Sequence, residues 1–256
     1  MFQIKRILFP VDFSDKARKA AVYAGAMASR FDAELIMLHI VEPPKYNTSL
    51  ADSHGSQWEH FGPLSGNHLR IKRLTEHGDE AAPKIIHCAK THHADLIVMP
   101  THGLGVYRRL ILGSTTAKVL HDADCPVWTG AHLENASPRE NIGRICCAVD
   151  LKPHSMKVLE WANEVSKKFQ AELVLVHVGP TDLTMRALDD LQKAAGSNAT
   201  VRVEDGEPAK TVARISQESG SDLLVIGRGA EAGIMGRLEA TAYSIIRQSH
   251  CPVVSV

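Results

Sequence analysis

Residues 5–41, KRILFPVDFSDKARKAAVYAGAMASRFDAELIMLHIV, and residues 143–179, GRICCAVDLKPHSMKVLEWANEVSKKFQAELVLVHVG, can be laid over one another without a gap. Asp12 meets Asp150, Phe31 meets Phe169, and Ala33-Glu34-Leu35 meets Ala171-Glu172-Leu173, every pair 138 positions apart. Further on, HHADLIVMPTHG (92–103) matches SGSDLLVIGRGA (219–230), and HDADCPVW matches QSHCPVVS. A match that recurs over several elements in the same order is a duplicated domain rather than a short solenoid repeat. The polar stretch AHLENASPREN, with Ser137 and Pro138, reads as the junction. We place a first domain at 1–132, a linker at 133–141 and a second domain at 142–256.

Each copy has the same coarse pattern. An apolar run (Ile7–Val11; Ile145–Val149) leads through a turn into a helix. Ser14 is a good N-cap for the first of these helices, with Ala17, Ala20, Ala21, Ala24, Met27 and Phe31 at helical spacing. The next runs (Leu35–Val41; Leu173–Val178) are too continuous for half-exposed strands, as expected of parallel strands buried on both faces. A third strand, a helix, a fourth strand, a glycine-rich loop, another helix and a last strand after Cys-Pro complete the copy. Alternating elements of these lengths predict an α/β fold. It would comprise two tandem doubly wound, Rossmann-like domains, each with a five-stranded, mostly parallel sheet and ligands outside the carboxyl ends of its strands.

Composition narrows the function. The 256 residues carry 29 basic and 29 acidic side chains, so the broad positive surface of a nucleic-acid binder is absent. No apolar run approaches the ~20 residues that span a bilayer. The start MFQIKRILFPVDFSD enters a strand-like run at once and lacks a small-residue cleavage site, against a signal peptide. Five cysteines in no paired framework fit a reducing compartment, and the expected location is the cytoplasm.

Pro100-Thr101-His102-Gly103, nine residues, then Gly113-Ser114 form a loop that is neither a Walker A motif nor G-x-G-x-x-G. Together with strand–Val-Asp–helix, a second strand ending in His-Ile-Val, and Cys-Pro-Val, it resembles the universal stress protein domain, twice over nearly the whole chain. The resemblance also implies an adenine-nucleotide alpha hydrolase-like fold. Nucleotide-binding members of that family carry G-x2-G-x9-G-[ST] at this place. The spacing is kept here, and Pro100 stands where the first glycine would be.

The resemblance implies ATP, or a related adenine nucleotide, in the first domain only. Asp12, after Pro10 and Val11, would lie near adenine or ribose, and Val41 would hold the adenine edge through its backbone. Gly103, Gly113, Ser114 and Thr115 would contact phosphate, with His102 in reach and Arg108 or Arg109 adding charge. Glycines let backbone N–H groups approach an anion, and hydroxyls add donors at a helix N-terminus. Each residue also has a plain reading. Asp12 and Asp150 can cap turns, Gly103 and Gly105 can serve as turn residues, and Ser114 can be an N-cap. Pro100 loses an N–H and fixes φ, which matters only if the family's glycine needs either.

The second copy departs further: Ala230 replaces a motif glycine, and counting back from Cys251 puts Glu239-Ala240 where the first copy has Gly113-Ser114. A carboxylate there would repel phosphate, so no ATP is expected in the second domain. His39 and His177, inside apolar strands, read as core histidines. Cys88 and His92, with His87 and His93 beside them and His54, His60 and His68 in the segment 43–67, could in principle approach a metal. No C-x2-C pair supports one and none is assigned. Cys146 and Cys147 should point to opposite sheet faces. No G-x-S-x-G or H-E-x-x-H motif supports hydrolase chemistry, and no catalytic residue is assigned.

The last strands are short, apolar edges that need covering. Family domains pair through this strand, so the resemblance implies an internal pseudo-dimer, with a homodimer as a further assembly. The reading is a stress-response protein that binds adenine nucleotide and signals through protein partners of unknown identity, without nucleic acid or membrane. The alternatives are a ligand-free scaffold and a slow Mg²⁺-dependent ATPase.

Overall fold

The computed structural model describes residues 3–41, 58, 61, 68–100, 112–130, 141–229 and 239–256. His102, Gly103, Gly105, Arg108, Arg109, His54, His60 and most of the linker and of the segment 43–67 lie outside them.

The first half runs β1 (Arg6–Val11), α1 (Asp15–Phe31), β2 (Glu34–Val41), β3 (Arg70–His77), α2 (Ala81–Thr91), β4 (Leu96–Pro100), α3 (Ser114–Asp122) and β5 (Val127–Gly130). The second runs β6 (Arg144–Ala148), α4 (Ser155–Phe169), β7 (Glu172–Val178), α5 (Thr181–Ala195), β8 (Thr200–Glu204), α6 (Pro208–Glu218), β9 (Leu223–Ile226), α7 (Ala240–Gln248) and β10 (Val253–Ser255). Together they build one ten-stranded sheet in the order β3-β2-β1-β4-β5-β10-β9-β6-β7-β8. Every pairing inside a half is parallel, and the junction between β5 and β10 is antiparallel. The five-stranded sheets expected for each copy are thus two halves of one continuous sheet.

Helix α1 begins where Ser14 Oγ accepts the Ala17 N–H at 3.1 Å and ends at Asp32, whose φ of 51° breaks the helical path. Its buried alanines, Ala17, Ala20, Ala21, Ala24 and Ala28, let it lie close on the sheet. On that face Phe9, Met37 and Trp128 join Trp161 and Phe169 of α4 in one core; α2, α3, α6 and α7 cover a second core on the other face. Cys146 belongs to the second core and Cys147 to the first, as strand alternation requires.

The halves meet about a local two-fold axis at Trp128↔Val254. Thr129 Oγ1 donates to the Val253 carbonyl (3.2 Å), and Ser255 Oγ donates to the Val127 carbonyl (3.4 Å). Elsewhere the Arg30 guanidinium lies 5.2 Å from the Phe169 ring centroid and Lys168 Nζ 5.7 Å from that of Phe31, a reciprocal pair of cation–π contacts. Arg228, only 5% exposed, crosses the junction. Its guanidinium donates to the carbonyls of Ala123 (2.5 Å), Cys125 and Ser255 (3.3 Å). Ala123 is the C-cap of α3, where a cation complements the helix dipole.

With β5 and β10 paired, the outer edges are β3 and β8. Arg70, Lys72, Arg73 and Glu76 charge the first edge; Arg202 and Glu204, bridged to Arg214 and Glu218, charge the second. Charged edges discourage pairing with further strands.

Candidate nucleotide site

Neighbouring strands β1 and β4 lead into helices on opposite faces, so a crevice opens at their carboxyl ends. The same holds for β6 and β9, but the two crevices differ from the strands upward. β6 pairs with β9 from Ile145↔Leu223 to Ala148↔Ile226, whereas β1 and β4 pair only at Ile7↔Leu96 and Leu8↔Ile97. The cause is local. The Arg6 carbonyl accepts the Asp95 N–H, so even-numbered residues of β1 turn their backbone groups toward β4. Pro10 falls on that side and has no N–H to offer. The first crevice therefore begins two residues deeper.

Val11 and Asp12 line its mouth. The Val11 carbonyl lies 2.9 Å from His39 Nδ1; a carbonyl only accepts, so Nδ1 carries the proton. His177 makes the same 2.9 Å bond to Val149, and both histidines are buried, as expected of core residues. Phe13 follows Asp12 with φ of 57°, and its counterpart Leu151 has φ of 62°. The strained residue lets the aspartate close an Asx-turn: Asp12 Oδ1 accepts the Ser14 N–H (3.1 Å) and the Ser14 hydroxyl (2.6 Å). Among the described residues Asp12 thus has the turn-capping role that Asp150 shares. Val41 ends β2, and its carbonyl accepts the Gly78 N–H at 3.2 Å.

Pro100 is the buried last residue of β4, opposite Gly130 of β5. Its carbonyl accepts the Thr116 hydroxyl at 3.1 Å, tying the strand end to the first turn of α3. The counterpart Gly227 is not among the glycines with positive φ, so proline stands here without backbone strain. The position requires neither glycine's left-handed freedom nor its flexibility.

Helix α3 corrects one expectation: Gly113, not Ser114, is its N-cap, and Ser114 is the first helical residue. Gly113 has φ −58° and ψ 145°, open to any residue, and among the described residues no side chain caps the helix. Glycine contributes here by having no side chain over the helix end. The exposed Ser114 and half-buried Thr115 follow, with the unbonded N–H groups of a first helical turn. Pro10, Val11, Asp12, Pro100, Gly113, Ser114 and Thr115 therefore lie around one crevice, with Val41 one strand further out.

Trp58 and Phe61 escaped the sequence reading. The Trp58 ring stands edge-on to Phe13 at 5.0 Å and 6.3 Å from His39, and Phe61 lies 5.8 Å from Phe13. The signal was the alternation of Phe9, Val11 and Phe13, which extends an apolar face past the end of β1. Among the described residues no three His, Cys, Asp or Glu side chains gather as a metal site. Burial first, then the Glu76 charge, pushes the Cys88 thiol up to about 11 against a weaker pull from Lys72, unfavourable for a thiolate ligand.

The second crevice has the same frame and different contents. Val149, Val178, Val212, Ile226 and Ile245 line it. Glu239 is the N-cap of α7, with φ −68° and ψ 157°, at the place and in the conformation of Gly113. Its Oε1 lies 3.5 Å from Lys152 Nζ, which also stands 3.3 Å from Asp150 Oδ2. Asp150 Oδ1 accepts from the Lys152 N–H and the Ser155 hydroxyl, both at 3.1 Å, and lies 3.4 Å from His154 Nε2. Burial alone would raise the Asp150 pKa; the Lys152 N–H, the His154 charge, the Ser155 hydroxyl and the Lys152 ammonium together lower it. The His154 ring approaches Gly227 so closely that a Cβ there would sit 2.7 Å away, and the Glu239 carboxylate would meet a Cβ on Gly229 at 2.5 Å.

The profile described as the universal stress protein family matches residues 3–129, 141–189 and 182–256. The chain belongs to the universal stress protein family. A universal stress protein of Methanocaldococcus jannaschii is 32% identical over 138 residues, 48% of this chain and 79% of that protein. One from Mycobacterium tuberculosis is 26% identical over 269 residues, spanning 99% of this chain and 96% of its own. A solved universal stress protein from Archaeoglobus fulgidus superposes with a TM-score of 0.74 at 21% identity, covering 99% of this chain and 98% of that one. The tandem arrangement of this universal stress protein is thus shared along its full length. Among the described residues no helix is long and apolar enough to cross a membrane.

Proposed function

We propose that this universal stress protein is a cytoplasmic stress-response protein that binds ATP or a related adenine nucleotide in its first domain, residues 1–132, and signals through protein partners according to occupancy. The phosphates would lie at the start of α3, on the N–H groups of its first turn and the hydroxyls of Ser114 and Thr115, with Gly103 and His102 contributing from the loop. The base and ribose would lie toward Asp12 and Val41. One observation carries the reading: among the described residues the N-terminus of α3, at Gly113, has no side-chain cap beside the widened β1/β4 crevice. Asp12 has its described hydrogen bonds on Oδ1 alone, so Oδ2 can accept from a ribose hydroxyl. The second domain, residues 142–256, would hold no nucleotide in this way, since Glu239 stands over the helix end.

Mass spectrometry of small molecules released from the denatured, purified protein tests the reading. Adenine nucleotide should accompany the native chain and be lost from Gly113→Glu. No released nucleotide, together with no change of melting temperature on adding ATP, would contradict it and favour the ligand-free scaffold. Phosphate release from ATP with Mg²⁺, followed over hours, tests the slow ATPase.

A further inference from the structure

The Glu239 carboxylate is more than an obstacle, because the second crevice is built around it. It stands at the N-terminus of a nine-residue helix, where partial positive charge favours an anion. Lys152 faces it at 3.5 Å, and the matching position in the first half is the uncharged Ser14. Gly229, with φ of 91°, leaves the space that the carboxylate fills; any Cβ there would collide with it. Helix end and glycine are thus grouped around the Glu239 carboxylate, with Lys152 bridging it to Asp150 at 3.3 Å, and the chain itself supplies the anion at the helix end. Thr241 keeps its hydroxyl in the first turn of α7, as Thr115 does in α3.

We infer that Glu239 is an autoinhibitory contact, an internal anion that takes the place of a ligand phosphate in the second crevice, with Lys152 as its counter-charge. Without the carboxylate, the crevice would take the phosphates of an adenine nucleotide on the helix end and Lys152. The choice of ligand rests on the function proposed for the first crevice; the contact itself rests on the second half alone. Lys152 and Glu239 side chains are each about half exposed, and such pairs add little to stability, so the fold survives their removal.

The test is ATP uptake by the full-length chain, measured by equilibrium dialysis and accompanied by thermal melts. Glu239→Gly is expected to raise uptake from about one to about two equivalents per chain. In a Gly113→Glu background, which closes the first crevice, Glu239→Gly should raise it from none to about one, and adding Lys152→Ala should weaken that uptake about tenfold. Glu239→Gln keeps the shape without the charge and should give the same gain with lower affinity; it reads the proposal if the glycine variant fails to fold. If the native chain takes up no ATP while Glu239→Gly gains an equivalent, the function proposed for the first crevice fails and the autoinhibitory contact stands. Cooperative melting with no added uptake in either Glu239 variant would overturn the inference.

Discussion

The helix after the fourth strand begins at a glycine in one half of the molecule and at a glutamate in the other, with backbone angles within 12° of each other (φ −58° and ψ 145° at Gly113; φ −68° and ψ 157° at Glu239). The chain path therefore did not dictate the residue. What differs is the space over the helix end and the sign of the charge there. The strands below show the same contrast: Pro10 ends the β1/β4 ladder early, while Ala148 lets the β6/β9 ladder continue. Among the described residues one duplicated frame carries an open crevice and a filled one, and the difference lies in a few side chains at the sheet's carboxyl edge.

Making the first half resemble the second should have the largest effect. Gly113→Glu is compatible with the local backbone, so the fold should persist while ATP affinity falls at least ~100-fold, about 2.7 kcal/mol. Isothermal titration together with a melting curve separates the two outcomes; unchanged affinity would mean that the start of α3 is not the phosphate site. Arg228→Ala comes next and tests the seam. It leaves three carbonyls without the guanidinium and should cost about 2 kcal/mol in urea unfolding. A change within ~0.5 kcal/mol would show that the strand pairing and the other contacts between the halves hold them together without Arg228.

Pro100→Gly restores the residue of the second half, and because Pro100 is unstrained it should shift ATP affinity by less than about threefold and stability by no more than ~1 kcal/mol. A tenfold gain in affinity would show instead that the missing N–H limits binding. Asp150 gives the smallest effect. Its pKa is lowered in the folded state, so its contribution is present above its unfolded pKa of about 3.9 and is lost as pH falls through the folded value. The stability difference between the native chain and Asp150→Asn should therefore narrow below about pH 4. A difference independent of pH there would rule out an ionised Asp150 as its source.

The fold was legible because hydrophobic period and duplication agreed: the 5–41 and 143–179 stretches aligned without a gap, and the strands they imply lie where β1, β2, β6 and β7 are found. The in-strand histidines His39 and His177 were readable for the same reason, since each copy vouched for the other. Part of what was hidden had no second copy to compare. Trp58 and Phe61 sit in a segment that differs between the halves, and their contacts to Phe13 depend on tertiary folding. Ser114 looked like an N-cap by residue preference, yet the helix starts one residue earlier, at Gly113, whose carbonyl accepts the Ala117 N–H. The counter-charge at Lys152 was invisible because it lies 87 positions from Glu239.

The claim that one frame carries one open and one filled crevice is tested most directly by native mass spectrometry of the full-length chain titrated with ATP. The account predicts a single bound nucleotide in the native protein and none in Gly113→Glu. Two bound nucleotides in the native protein, or one that survives Gly113→Glu, would contradict it.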